Sequence, residues 1–169
     1  MDQPHRWNHN NFAVAPEQMD NVAACVDALF PWTKFVDKPT ILGYRLTEHM
    51  YDGAVYFRPV APMAQIHALL AEARASRPEV AQAFRDLAGL DADYRDHCGF
   101  MVPSAAEWEE RVARARRFGA ERPELQVEVV DVLRPGDGRC PTTDLCQAFI
   151  RFGVLGPLRN TFEMQARLR

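Results

Sequence analysis

Residues 7–15, "WNHNNFAVA", place polar and apolar side chains in the period of two that marks a half-buried strand. Pro16 then suits the first turn of a helix, where its missing N–H costs nothing. Met19, Val22, Ala23, Val26 and Leu29 recur at helical spacing until "FPW" at 30–32 stops the run. Short strands are expected at 33–37, 40–47 and 53–60, so this stretch reads βαβββ.

The same order returns in the C-terminal half. A strand at 96–102 leads into "SAAEWEERVARARRFG", where Ser104 and Glu107 have capping-box spacing and Trp108, Val112 and Ala115 form an apolar stripe. Gly119 is expected to supply the C-terminal stop of that helix. Strands follow at about 125–134, 145–154 and 160–168, with "RPGDG" as the turn between the first two. Between the two copies, "PMAQIHALLAEARA" and "PEVAQAFRDLAG" read as helices with no counterpart in either. The chain therefore reads as a single α+β domain over 1–169, made of module one at 7–60, a helical insertion at 61–94 and module two at 95–169.

Composition narrows what such a chain does. With 169 residues, 47% of them apolar, it is long enough to bury a core. Its 20 Lys and Arg against 23 Asp and Glu argue against a nucleic-acid or membrane-surface binder. Arg111, Arg114, Arg116 and Arg117 share their helix with Glu107, Glu109 and Glu110, as on a solvated face. Cys25, Cys98, Cys140 and Cys146 have no zinc-like or redox-like spacing, and no apolar run approaches the roughly 20 residues that span a bilayer. A reduced, cytoplasmic setting is the default expectation.

The duplication extends to chemistry. His9-x-x-Phe12-x-Val14 is echoed by His97-x-x-Phe100-x-Val102. Strand alternation sends Phe12 and Val14 to one face and His9 to the other, and does the same for Phe100, Val102 and His97. Each histidine either caps its strand with a local hydrogen bond or faces a concavity shared by the two modules. In the last strand Glu163 stands between Phe162 and Met164, which turns it inward with Gln165. A carboxylate in so apolar a strand needs a partner, because burying it alone is expensive.

The opening "HNNFAVAPEQMDNVAACVDALFPW", its echo "DHCGFMVPSAAEWEERVARARRFGA" and the closing "TFEMQARL" resemble the vicinal oxygen chelate superfamily, which includes glyoxalase I, methylmalonyl-CoA epimerase, extradiol dioxygenases and fosfomycin- and bleomycin-resistance proteins. The resemblance implies an open, cup-like, eight-stranded mixed sheet, with the insertion outside it. It implies a divalent metal, Fe(II) or Mn(II), held by His9, His97 and Glu163. Aligning "VYFRP" on "NTFEM" sets Arg58 opposite Glu163, at the family's fourth ligand position. Two histidines and one carboxylate leave open positions on the metal for two neighbouring substrate oxygens or dioxygen.

The resulting expectation is a metal-dependent enzyme on a small oxygenated organic substrate, first of all an extradiol, catechol-cleaving dioxygenase. A glyoxalase-type lyase or isomerase and a thiol transferase share the same ligand core. A metal-free binding protein of the bleomycin-resistance kind is the competing class, with Trp7, Trp32 and Trp108 available to line a cleft. His49 and Tyr56 are candidate acid or base groups, and Arg58 a candidate anion clamp. His67, in the insertion, and His5, in the N-terminal tail, are weaker candidates. The resemblance also implies a homodimer.

Overall fold

The computed structural model describes residues 9–46, 53–140, 142–158 and 160–168, without the side chains of Leu46 and Asp93. His5, Trp7, His49 and Tyr51 lie outside the described residues. The chain divides after Ala64 into two compact units.

In the first unit, β1 (His9–Val14) leads through a 3-10 turn at Pro16–Gln18 into α1 (Met19–Leu29), followed by β2 (Thr33–Lys38), β3 (Ile41–Leu46) and β4 (Gly53–Pro59). The sheet order is β1-β4-β3-β2, with β1 and β4 parallel and the other pairs antiparallel. A parallel pair cannot be closed by a hairpin, so the chain must cross over between β1 and β4, and α1 lies in that crossover. Burial alternates along β1, with His9, Asn11 and Ala13 exposed and Val14 buried. Val22, Cys25, Val26 and Leu29 form the buried stripe of α1, and Leu42, Tyr44, Val55 and Phe57 are buried hydrophobic residues of β3 and β4. Each such large apolar side chain contributes about 1.5–3 kcal/mol by leaving water. Tyr44 buries its ring and donates its hydroxyl to Asp27 Oδ1 at 2.8 Å.

The second unit holds most of α2 (Ala61–Ser76), then α3 (Pro78–Gly89), a 3-10 turn at Ala92–Tyr94, β5 (His97–Met101), α4 (Ala105–Glu121), β6 (Val127–Leu133), β7 (Leu145–Phe152) and β8 (Thr161–Arg167). Its sheet order, β5-β8-β7-β6 with β5 and β8 parallel, repeats that of the first unit. The irregularity is repeated too, since β2 shifts register between Lys34 and Val36 and β6 between Val129 and Asp131. The α+β architecture of two βαβββ modules separated by helices is thus present as eight strands in two mixed four-stranded sheets. Among the described residues no helix is long and apolar enough to cross a membrane.

Two details of α4 bear on the sequence reading. Ser104 caps the helix by accepting from Glu107 N–H at 3.2 Å, as the capping-box spacing predicts. Gly119 does not end the helix, which continues to Glu121 and gives way at Arg122 and Pro123. The glycine is there because a Cβ at 119 would run into the carbonyl oxygen of Val127, where the helix crosses the start of β6. Trp108 is fully buried, and its Nε1 donates to the Met164 carbonyl at 2.9 Å, tying α4 to β8. Trp32 is buried against Phe30, with ring centroids 4.4 Å apart. Both tryptophans are core residues, so neither lines an open cleft within its own module. Two of the four arginines of α4 are paired along its surface, Arg111 with Glu107 at 2.7 Å and Arg114 with Glu110 at 2.6 Å.

Candidate metal centre

Module two places His97 and Glu163 on one face of the sheet. β5 pairs with β8 so that His97 is opposite Thr161, Gly99 opposite Glu163 and Met101 opposite Gln165. Paired residues share a face, and the intervening Phe162 and Met164 are fully buried on the other, with α4. Glu163 consequently projects away from the helix, as its position between those two residues predicts.

The carboxylate is only 5% exposed and its two oxygens have different duties. Oε1 accepts from Gln147 Nε2 at 2.6 Å and from Gln165 Nε2 at 2.7 Å. Oε2 faces His97 Nε2 at 3.4 Å. The other ring nitrogen, Nδ1, is 2.8 Å from the Arg95 carbonyl oxygen, which can only accept. Nδ1 therefore carries the proton, and in the neutral imidazole Nε2 is left with a lone pair directed at Oε2. The edge of the imidazole against Phe149, at 5.5 Å between centroids, fixes its plane.

Two lone pairs face each other across 3.4 Å, so either a proton or a cation belongs between them. The donor set fits a divalent cation. Imidazole nitrogen and carboxylate oxygen are its usual ligands, and two ligands each about 2.0–2.2 Å from one ion at a tetrahedral angle would be separated by that distance. The backbone acceptor behind Nδ1 and the two amides behind Oε1 are the outer partners that orient metal ligands. Gly99 leaves the approach open, because a Cβ there would lie 3.1 Å from Glu163 Oε2. Among the described residues no three His, Cys, Asp or Glu side chains converge on one point.

Module one carries the equivalent positions with other chemistry. His9 pairs with Ala54 and Asn11 with Tyr56. Because His9 corresponds to His97, this register makes Tyr56, and not Arg58, the counterpart of Glu163; Arg58 corresponds to Gln165. Matching Phe57 to Phe162 by sequence shifted that strand by two residues. His9 sits 5.7 Å from the Tyr56 ring, edge to face, and Arg58 lies over the same ring at 5.9 Å while its Nε donates to Asn11 Oδ1 at 3.4 Å. The structure thus groups His9, Tyr56 and Arg58 on one face of module one, and His97 with Glu163 on one face of module two. Gln147 was not among the sequence candidates, although its signal resembles that of Glu163: a polar side chain inside the apolar strand "LCQAFI".

No family model and no curated protein matches the chain. Solved structures do. The chain is similar to lactoylglutathione lyase from Agrobacterium tumefaciens, at 12% identity over 98% of this chain and 96% of that one, with a TM-score of 0.52. A glyoxalase/bleomycin resistance protein/dioxygenase from Nocardioides matches at 12% identity over 100% and 87%, with a TM-score of 0.51. The fosfomycin resistance protein FosX from Listeria monocytogenes matches at 10% identity over 100% and 94%, with a TM-score of 0.52. The chain shares the fold of these structures. At such identities the likeness concerns the paired βαβββ modules. Within that fold, this chain has a histidine on the first strand of each module and a carboxylate on the last strand of module two only.

Proposed function

We propose that this chain is a metal-dependent enzyme acting on a small oxygenated organic molecule, with extradiol cleavage of a catechol as the reaction to test first. The observation that supports this most is the orientation of His97, whose Nδ1 is held by the Arg95 carbonyl so that Nε2 meets Glu163 Oε2. His97 and Glu163 are two of the proposed ligands. The third is His9, on the argument from duplication. Tyr56 at the fourth position makes a three-ligand set of two histidines and one carboxylate, the pattern that leaves coordination positions open for substrate. Iron(II) and manganese(II) are the proposed metals; one structure of FosX, a protein of this fold, contains Mn(II). When bound, the metal would act as a Lewis acid on two neighbouring substrate oxygens. Gln147 and Gln165 hold the carboxylate, and Phe149 and the Arg95 carbonyl hold the imidazole. Glyoxalase-type and thiol-transfer chemistry share this core and differ in the co-substrate required.

The test is anaerobic reconstitution with Fe(II), followed by a panel of catechols in air. The proposal expects a ring-cleavage chromophore that disappears in His97→Ala. Catechols recovered intact at every metal tried would remove the dioxygenase reading.

A further inference from the structure

A cavity of about 480 Å³ is bounded by the end of the helical insertion and by β6 and β7, and Arg95, Arg139 and Arg151 line it together with Asp91, Glu128 and Asp131. It belongs to the same face of the sheet as the His97–Glu163 pair. His97 pairs with Thr161, Thr161 with Arg151 and Arg151 with Glu128, so these four stand in one row across four strands. Two strand spacings put Arg151 about 10 Å from His97. Arg95 is bound to the proposed centre by its own backbone, since its carbonyl holds the imidazole.

The arginines are not equally committed. Arg139 forms a two-pronged pair with Asp131, at 2.9 and 3.0 Å, and Asp131 Oδ1 also accepts from Val132 N–H at 2.8 Å. That pair is complete. Arg151 has a single contact of 3.3 Å with Glu128, whose side chain is largely exposed. Among the described residues, Arg95 Nε is buried and makes no hydrogen bond. Two guanidinium groups that line one cavity, one of them with a buried Nε–H that has no partner among the described residues, are arranged for an anion.

We infer that Arg95 and Arg151 bind an oxyanion, the carboxylate, phosphate or phosphonate of the small molecule whose other oxygens face His97 and Glu163. The link to those oxygens rests on the proposed metal centre; the oxyanion site itself does not. The substrate class is thereby an oxygenated compound with an anionic group on the order of 10 Å from its chelating oxygens, the spacing set by two strands. The catechol panel should accordingly include carboxylated members.

The test uses metal-free protein. Benzoate and, separately, inorganic phosphate are titrated while the arginine Nε–H resonances are followed by ¹H–¹⁵N correlation. Saturable shifts at Arg95 and Arg151 are expected. Arg95→Gln and Arg151→Gln should each weaken binding about tenfold to a hundredfold, the worth of a hydrogen bond to a charged group. Arg151→Lys, which keeps the charge and loses the fork, should fall between. Circular dichroism confirms that each variant is folded, and Mn(II) affinity should be unchanged in the two Arg151 variants. His97→Ala should lose Mn(II) and keep the anion. No shift with either anion, or equal affinity in both glutamine variants and wild type, would overturn the site. Anion binding in a wild type that takes up no Fe(II), Mn(II), Zn(II) or Ni(II) would defeat the metal reading and leave the oxyanion site standing.

Discussion

His97 Nε2 and Glu163 Oε2 lie 3.4 Å apart with every neighbouring heteroatom of the two side chains already engaged. The Arg95 carbonyl occupies Nδ1, and Gln147 and Gln165 occupy Oε1. What the two free lone pairs hold between them is the question on which the functional account turns.

The amides behind the carboxylate are the first place to intervene. Gln147→Leu removes the 2.6 Å donor and should leave the sheet folded, since Gln165 still donates to Oε1 at 2.7 Å. Mn(II) affinity measured by calorimetry should drop about 10- to 100-fold, the usual effect of losing an outer partner of a metal ligand. Unchanged affinity would mean that Glu163 needs no such support.

Gly99→Ala tests the open approach to the pair. The added methyl would sit 3.1 Å from Oε2 and push the carboxylate off His97. We expect metal affinity to fall more than stability does, with the stability cost at about 1–3 kcal/mol, as for other overpacked sites. A variant that binds metal like wild type would show that Oε2 is not the ligating oxygen.

Gly119→Ala sets two effects against each other. Helix propensity alone favours alanine by about 1 kcal/mol. The contact with the Val127 carbonyl opposes it, because α4 or β6 must move to admit a Cβ. The contact should win, giving net destabilisation in a urea titration. A more stable variant would refute the close approach.

Tyr44→Phe probes the module-one core. Burial first, and the hydrogen bond to Asp27 second, push the Tyr44 hydroxyl well above its ordinary value of 10.0. A raised folded value means the neutral hydroxyl stabilises the fold below the unfolded value and that this contribution is lost as pH rises past it. Wild type should therefore exceed the variant by about 1 kcal/mol at neutral pH. Its advantage should shrink above about pH 10, the unfolded tyrosine value. Parallel stability curves for the two proteins across that range would contradict the assignment.

Much of the fold was legible because the modules repeat simple periods. His9 and His97 open strands whose Phe-x-Val pairs face the helix side, and alternation alone assigns each histidine to the other face. Glu163 was legible as a charged residue between two apolar ones. Gly119 was misread because a glycine near the end of a helical run has the same appearance whether it terminates the helix or admits a crossing strand. Arg58 was set against Glu163 because phenylalanines were matched, whereas hydrogen-bond register is fixed by the parallel pairing of β1 with β4. Arg95 gave no periodic signal at all. It lies in the link before β5, and its role comes from a carbonyl and a buried guanidinium that only the folded chain brings beside His97.

The most direct measurement of the central claim is metal content and Mn(II) titration of tag-free protein, beside His97→Ala, Glu163→Gln and His9→Ala. The account predicts one equivalent of metal per chain in the wild type and its loss in each variant, with all four proteins folded. Wild-type protein that takes up no Fe(II), Mn(II), Zn(II) or Ni(II) would contradict it, and would assign the space between His97 and Glu163 to a proton.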